Sequence, residues 1–312
     1  MLDKISQYLK SKIQQFPSAD KIIFNNKLIE FDKNKFETIG KINNLPSIAF
    51  IDGGQAEIIS AGNFCLSFIR VGALVYQNNK KIKDYRHEFY LLTTARYEKE
   101  VIYQSKIFSS DVSEVNEDDL TISSNDDTIR IGTERASMSQ IINLARRFAE
   151  LSLCCKVKAD IIVLDGILES SFRNEEKYLS RLPKNVCAIA KSSSLFTTSG
   201  NSPVVLLNKL SPSRCWSYAL ENNFYFVKLH EKARHVFRFT GNRDFLPPLM
   251  ENSKDAIFLG YPYGLITADK FARVSNEEKK ALRMNILLKA ENKEIAEYLS
   301  ATNAHEILDN LG

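Results

Sequence analysis

Hydrophobic and polar residues follow two different patterns along this chain, and each pattern predicts its own kind of secondary structure. Apolar residues recur every three or four positions over 2–16 and again over 133–155, which is typical of amphipathic helices. Residues 47–51 and 160–165 instead form short apolar runs that lead into Asp-Gly, and such runs indicate buried strands. The chain therefore predicts buried strands with helices packed on them.

Further elements follow from the same patterns. Strands are predicted at 55–60, 64–76, 87–92, 100–108, 185–190, 214–219, 223–230, 234–240 and 256–260. Helices are predicted at 174–182, from a capping box at Ser275 to about 289, and in two shorter segments after it, whereas Pro247-Pro248 is expected to break the chain. This order indicates an α/β fold, with a mixed β-sheet flanked by helices and with N- and C-terminal helices. Residues 1–312 contain no internal repeat or linker and are expected to form one domain.

Composition narrows the class of protein only slightly. The chain has 312 residues, 44% hydrophobic and 26% charged residues and a net charge of +4, so nucleic acid is neither required nor excluded as a partner. Its five cysteines lack metal-ligand spacing, and its four histidines lack the H-E-x-x-H pattern, which argues against a zinc site. No apolar run approaches a membrane span, and no signal segment is evident, so a cytoplasmic protein with reduced thiols is expected.

An acidic segment stands out between the predicted strands and the long helix. Residues 109–129 hold seven acidic side chains and no Lys or Arg. Such a segment is typical of a solvated, mobile loop, and a basic partner is the alternative.

The two Asp-Gly strings carry the first candidate chemistry. Asp52 and Asp165 each stand at the predicted exit of a buried strand. Two carboxylates at one end of a sheet repel each other, and a divalent cation is a common means of holding them together. The alternative is that each string is an ordinary turn dipeptide.

Several dispersed motifs together resemble the NurA nuclease family. They are Ile48-Ala49-Phe50-Ile51-Asp52-Gly53-Gly54, Glu134 at the head of the long helix, Leu164-Asp165-Gly166-Ile167-Leu168, Lys191 after a strand, Gly260-Tyr261-Pro262-Tyr263, and Ala268-Asp269. They occur in the family's order and span about 47–275.

This resemblance implies an RNase H-like core and a manganese-dependent DNA nuclease, with magnesium as a second option and two ions in the site. It also implies a homodimer that works with a hexameric HerA-type ATPase in DNA end resection and repair. The implied activity is 5′–3′ exonuclease, with endonuclease action on single strands as a further option.

The resemblance also assigns roles one position at a time. Asp52, Glu134 and Asp165 match the metal-binding acids, and Lys191 and Tyr261 match polar residues near the scissile phosphate. Asp269 falls where some members have His, so it is a further candidate metal ligand, and His305 is a weaker candidate still. Two structural alternatives stay open: Glu134 complements the dipole of its helix, and Tyr261 packs the turn before Pro262.

A basic stretch offers a way to hold DNA. Cations alternate with Phe237 and Phe239, a pattern that suits phosphate contact and base stacking. An equally open alternative is the solvated face of an amphipathic strand. The candidate cations are Lys228, Lys232, Arg234, Arg238 and Arg243.

Two rival functions compete with the nuclease hypothesis. An actin-like or sugar-kinase ATPase shares the RNase H-like core but needs further glycine-rich phosphate loops, and the chain has only 12 glycines and one Gly-Gly pair. A non-catalytic DNA-binding subunit is the other rival, and it predicts that the acidic residues are dispensable.

Overall fold

The computed structural model describes residues 1–14, 20–110, 114–212, 214–221, 223–289 and 293–302. Within these ranges the strands are β1 (Lys21–Phe24), β2 (Lys27–Glu30), β3 (Phe36–Thr38), β4 (Ile48–Ser60), β5 (Phe64–Gln77), β6 (Lys80–Glu98), β7 (Glu100–Ser109), β8 (Ile122–Ser123), β9 (Ile161–Asp165), β10 (Val186–Ala190), β11 (Trp216–Glu221), β12 (Phe224–Lys228) and β13 (Phe237–Thr240). The helices are α1 (Leu2–Gln14), α2 (Ser139–Lys156), α3 (Glu176–Leu179), α4 (Pro203–Leu210), α5 (Leu246–Asn252), α6 (Tyr263–Ala272), α7 (Asn276–Leu287) and α8 (Lys293–Thr302).

One mixed sheet dominates the described chain. Its strand order is β3-β11-β12-β13-β10-β9-β4-β5-β6-β7-β8, and β1 with β2 forms a separate hairpin. The central strands β4, β9 and β10 run parallel, and the other neighbouring strands are antiparallel. The predicted mixed β-sheet with flanking helices is therefore confirmed.

Helices cover both faces of the centre of this sheet. Ala49 and Ile51 point into a core that includes the apolar face of α2. Ile48 and Phe50, which alternate with them, point into a second core with α5 and α6. The two faces of β4 are thus both buried, which explains its continuous apolar run.

The Asp-Gly-Gly string lies inside β4 and is not a turn, because the strand continues to Ser60. The glycines serve close helix packing. A Cβ on Gly53 would lie 2.8 Å from Cγ of Arg146 on α2, and a Cβ on Gly54 would overlap the carbonyl of Ala272 at the end of α6. Asp165-Gly166 does end its strand, with Gly166 at a φ of +128°.

Gly53→Ala is expected to lower the free energy of unfolding by about 1–3 kcal/mol, since the side chains of Arg146 and Glu150 packed against Gly53 must move. Gly40→Ala is the matched control, because nothing lies within 4 Å of its added carbon. Urea unfolding of the two variants measures the difference. Equal free energies of unfolding would show that α2 does not press on β4 at this point.

The long helix begins later than the sequence predicts. It begins at Ser139, so Glu134 precedes it by more than one turn and does not head it. The preceding segment is held outside the helix, because Ala136 donates to the carbonyl of Ser124 at 2.7 Å and accepts from the Tyr103 hydroxyl at 2.5 Å. These bonds tie the segment to the sheet edge and delay the helix.

Two other predictions near the C-terminal half are wrong. Pro247 and Pro248 open α5 instead of breaking the chain, since the first turn of a helix needs no N–H donors there. Residues 256–260 form turns instead of a buried strand, and Ile257 is 64% exposed and Phe258 40% exposed. The apolar run was therefore a surface feature, not a core one.

Both chain ends carry the predicted helices as far as they are described. Ser275 caps α7, with its Oγ accepting from the N–H of Glu278 at 3.1 Å. In α1 the side chains up to residue 11 are exposed, so this helix does not pack on the described core. Residues 15–16 and 303–312, including His305, lie outside the described residues. No helix in the described ranges is both long and apolar enough to cross a membrane.

The acidic segment is only partly a solvated loop. Asp119 is buried, and its carboxylate bonds Lys177 Nζ at 2.5 Å and the Tyr178 hydroxyl at 3.0 Å. Leu120 beside it is fully buried in the core under α2. The described part of this segment therefore packs against α3 and the core, and residues 111–113 are not described.

Candidate active site

Asp52 and Asp165 lie side by side. Their strands β4 and β9 are parallel, with Ile51 opposite Leu164, so the next position on each strand is an aspartate. Adjacent strands are about 4.8 Å apart, and both residues fall on the face that α6 covers. The charge of Asp165 acts on Asp52, as expected of carboxylates this close. The convergence that the two strings predicted is thus present in the structure.

Lys191 joins them from the next strand. It follows β10, in which Ile189 lies opposite Asp165, and its Nζ forms an ion pair with the Asp165 carboxylate. Burial disfavours the ammonium ion, but the contact with Asp165 and the charge of Asp52 raise the pKa of Lys191 overall. Lys191 therefore carries a positive charge directly at the carboxylates.

Tyr261 closes the site from the α6 side. It is only 3% exposed, and its ring lies 5.5 Å from the Nζ of Lys191. Its hydroxyl makes no hydrogen bond of normal geometry with any described residue, although it lies close to Asp165. Burial and the charges of Asp165 and Asp52 raise the pKa of this phenol, so it stays protonated. This buried, protonated hydroxyl is therefore available to donate a hydrogen bond to a group bound at the carboxylates.

Asp269 lies at the rim. It belongs to α6 and pairs with Arg273 at 2.5 Å, with 38% of its side chain exposed. Its charge contributes to the raised pKa of Lys191, which places it within electrostatic reach of the cluster.

A third buried carboxylate, Glu150, was not foreseen from the sequence. It is on α2, is only 4% exposed, and its charge acts on Asp52. It comes from the opposite face of the sheet, and its carboxylate occupies the place where a side chain on Gly53 would stand. The available signal was an acidic residue within the otherwise uncharged stretch 148–155.

Glu134 does not lie in this group. It is exposed and lines a cavity of about 670 Å³ together with Glu57 of β4. Glu57 is five positions from Asp52, which corresponds to about 16 Å along a strand. The helix carboxylate near the aspartates is therefore Glu150, because the later start of α2 moves Glu134 away.

Two arginines hold Glu150 in place. Nη1 of Arg146 lies 3.0 Å from Glu150 Oε1 and also donates to the carbonyl of Gly53 at 2.9 Å. Arg147 lies 3.9 Å from Glu150 and is itself fixed by buried Glu175 at 2.7 Å. Burial nevertheless raises the pKa of Glu150 against these cations.

The charges of the cluster are not balanced. Burial, followed by the charges of Glu150 and Asp165, raises the pKa of Asp52 to about 7, although Lys191 and a hydrogen bond from the Gly53 N–H oppose the shift. Near neutral pH, either a proton or an added cation therefore relieves the charge repulsion at this carboxyl group.

The donor set suits a hard divalent cation, because Asp52, Asp165 and Glu150 supply carboxylate oxygens, the ligands that Mn²⁺ and Mg²⁺ take. Within the described chain no three acidic, His or Cys side chains are arranged around a common point as they stand. Lys191 instead neutralises Asp165, and Arg146 neutralises Glu150. An ion bound at this site would compete with Lys191 for Asp165 and with Arg146 for Glu150.

The predicted basic stretch does not form one exposed surface. Lys228 is buried near Asn208, and Arg238 is buried and pairs with Glu169. The other three cations are more accessible: Arg243 pairs with Glu37 at 2.9 Å, and Lys232 and Arg234 are exposed without an ion pair to another described residue. Only the last two remain as free candidates for phosphate contact.

Comparison with known proteins identifies similar folds but no related sequence. No family model matches this sequence, and no curated protein matches it either. The crystal structure of NurA superposes with a TM-score of 0.50 and 10% identity, over 84% of this chain and 92% of that chain. Endonuclease V from Ciona intestinalis, in complex with a 24mer DNA containing an inosine, gives 0.40 and 11%, over 90% of this chain and 100% of that chain. Human ENDOV gives 0.35 and 12%, over 76% and 86% respectively. The superposition on NurA thus supports an RNase H-like fold for this chain, at low sequence identity.

Proposed function

We propose that this protein is a divalent-metal-dependent DNA nuclease that hydrolyses phosphodiester bonds at Asp52, Asp165 and Glu150. The observation that carries the proposal is the pair Asp52 and Asp165 on neighbouring parallel strands of an RNase H-like fold, with the charge of buried Glu150 from α2 acting on Asp52. Buried carboxylates this close together destabilise the folded protein unless a cation neutralises them, and such groups are typical of catalytic sites.

Each residue has a role that its surroundings support. The bound ion, preferably Mn²⁺ with Mg²⁺ as the alternative and two ions in the full site, would neutralise phosphate charge and activate water. Asp52, Asp165 and Glu150 would hold it, and Lys191, once released from Asp165, would face a non-bridging phosphate oxygen. The protonated Tyr261 hydroxyl would donate a hydrogen bond to the same phosphate. Asp269, paired with Arg273 at the rim, would act through charge or as an additional ligand.

The direct test is degradation of end-labelled linear DNA with Mn²⁺, comparing the wild type with Asp165→Asn. We expect the variant to be at least about 100-fold slower, since even outer partners of metal ligands cost up to that much. Asp127→Asn is the matched control, because Asp127 is 86% exposed and, among the residues that the structure describes, forms an ion pair with Arg130 alone. An inert wild type with both Mn²⁺ and Mg²⁺, or an Asp165→Asn variant as fast as the wild type, would refute the proposal. DNA binding without cleavage would instead favour a non-catalytic subunit.

For the biological setting we propose 5′–3′ exonuclease action, with endonuclease action on single strands, in DNA end resection and repair. We further propose a homodimer that works with a HerA-type hexameric ATPase. The support is the motif order that resembles the NurA family and the superposition on NurA over 84% of the chain. Light scattering at micromolar concentration should then give the mass of a dimer, and a monomer mass would contradict the proposed assembly.

A further inference from the structure

An aromatic cavity opens directly beside the carboxylate cluster. Its volume is about 540 Å³, within the range of small-molecule and cofactor sites. Lys191 and Tyr261 line it, so it shares a wall with the candidate active site. The rest of its lining consists of His235 and four apolar residues, with the ion pair of Asp269 and Arg273 at the polar side; the apolar residues are Phe237, Ile257, Phe258 and Ile266.

The rings of this cavity form a continuous path from the surface to the site. His235 stacks on Phe258, with ring centroids 5.0 Å apart and planes 28° apart. Phe258 in turn meets Tyr261 edge-on at 5.9 Å. Exposure falls along the path, from exposed His235 and 40% at Phe258 to 3% at Tyr261. The outer pair therefore offers ring surface to a ligand, and the inner ring touches the catalytic residues.

We propose that this cavity binds an unpaired nucleobase of the DNA strand being cut, stacked on Phe258 and His235. The proposal rests on the proposed function and names its substrate class, a DNA end with unpaired nucleotides. Aromatic rings stack on any base, and the cations Lys191 and Arg273 stand at the polar side, where the adjoining phosphates would compete with their ion-pair partners Asp165 and Asp269. A base in the cavity has left its neighbours in the duplex, so the cavity selects strands that are already unpaired.

The test uses binding, so it does not depend on cleavage. The probe is fluorescein-labelled oligo(dT) of five nucleotides, with and without one abasic position placed at each site in turn, measured by anisotropy in EDTA. For the wild type one abasic position should weaken binding by about 5–150-fold, the usual range for one stacked base. Phe258→Ala should bind the intact oligonucleotide more weakly than the wild type by a similar factor. An abasic position should then weaken binding to this variant no further.

Two variants serve as controls. Phe258→Tyr keeps the ring and should bind as the wild type does, whereas Phe196→Ala removes a 59% exposed ring outside the cavity and should change nothing. The inference is overturned when Phe258→Ala and the wild type respond equally to every abasic position, or when the wild type binds no oligonucleotide. Either result would leave an apolar peptide as the alternative ligand of the aromatic cavity. A wild type that cuts DNA with Mn²⁺ but shows no abasic effect refutes the inference alone, and one that stacks the base but cuts nothing refutes the nuclease activity.

Discussion

Substitution of Glu150 by Gln is expected to slow Mn²⁺-dependent DNA degradation at least about 100-fold, whereas Glu134→Gln leaves the rate unchanged. Glu150 is buried beside Asp52, and its charge acts on that residue. Glu134 is exposed at another cavity, beside Glu57. The pair of variants therefore compares two glutamates of the same chemistry in different places, by initial rates on one labelled DNA substrate.

The Glu150→Gln variant should still fold. The side chain keeps its volume, Arg147 keeps its ion pair with Glu175, and Arg146 keeps the carbonyl of Gly53. Thermal unfolding of both variants checks this point before rates are compared. A large loss for Glu134→Gln with none for Glu150→Gln would restore Glu134 as the helix carboxylate and would contradict the site described here.

Asp52→Asn is expected to remove cleavage and, in the absence of metal, to make the protein more stable. The pKa of Asp52 is about 7 in the folded protein, against an ordinary value of 3.8. Between these values the folded state holds a proton that the unfolded state has lost, so the free energy of unfolding falls as the pH rises from about 4 to 7. Asn carries no charge, so at pH 8 the variant should be more stable by about 2–4 kcal/mol.

Urea unfolding in EDTA at pH 4 and at pH 8 measures this effect. The two proteins should differ little at pH 4 and most at pH 8, while the control Asp127→Asn should follow the wild type at both. Mn²⁺ at 1,000 times its Kd should remove this advantage, because it then stabilises the protein that binds it by about 4.1 kcal/mol. A variant that is less stable than the wild type at pH 8, or a stability difference that does not depend on pH, would show that the buried charge of Asp52 does not destabilise the folded protein.

The sequence predicted the two aspartates well, because local patterns decide their placement. Continuous apolar runs make buried strands, and the parallel register of β4 and β9 then places Asp52, within β4, next to Asp165 at the end of β9. Lys191 follows from the same rule, since it comes directly after the third parallel strand, β10.

The residues that the sequence misplaced depend on contacts between distant segments. Glu150 reaches the aspartates only because Gly53 leaves room for it, and Gly53 looked like part of a turn. Glu134 lost its place on the helix to bonds from Tyr103 and Ser124, which no local propensity reveals. Burial likewise separated Arg238 from the exposed cations near it in sequence.

The most direct measurement is calorimetric titration of the wild type and of Asp165→Asn with Mn²⁺ at pH 7.5, without DNA. We expect the wild type to bind one or two ions, with proton release because Asp52 is partly protonated near its pKa of about 7. Asp165→Asn should bind the ion at least about 10-fold more weakly. Equal binding by both proteins, or no binding of Mn²⁺ or Mg²⁺ by the wild type at millimolar concentrations, would contradict a metal site at these carboxylates.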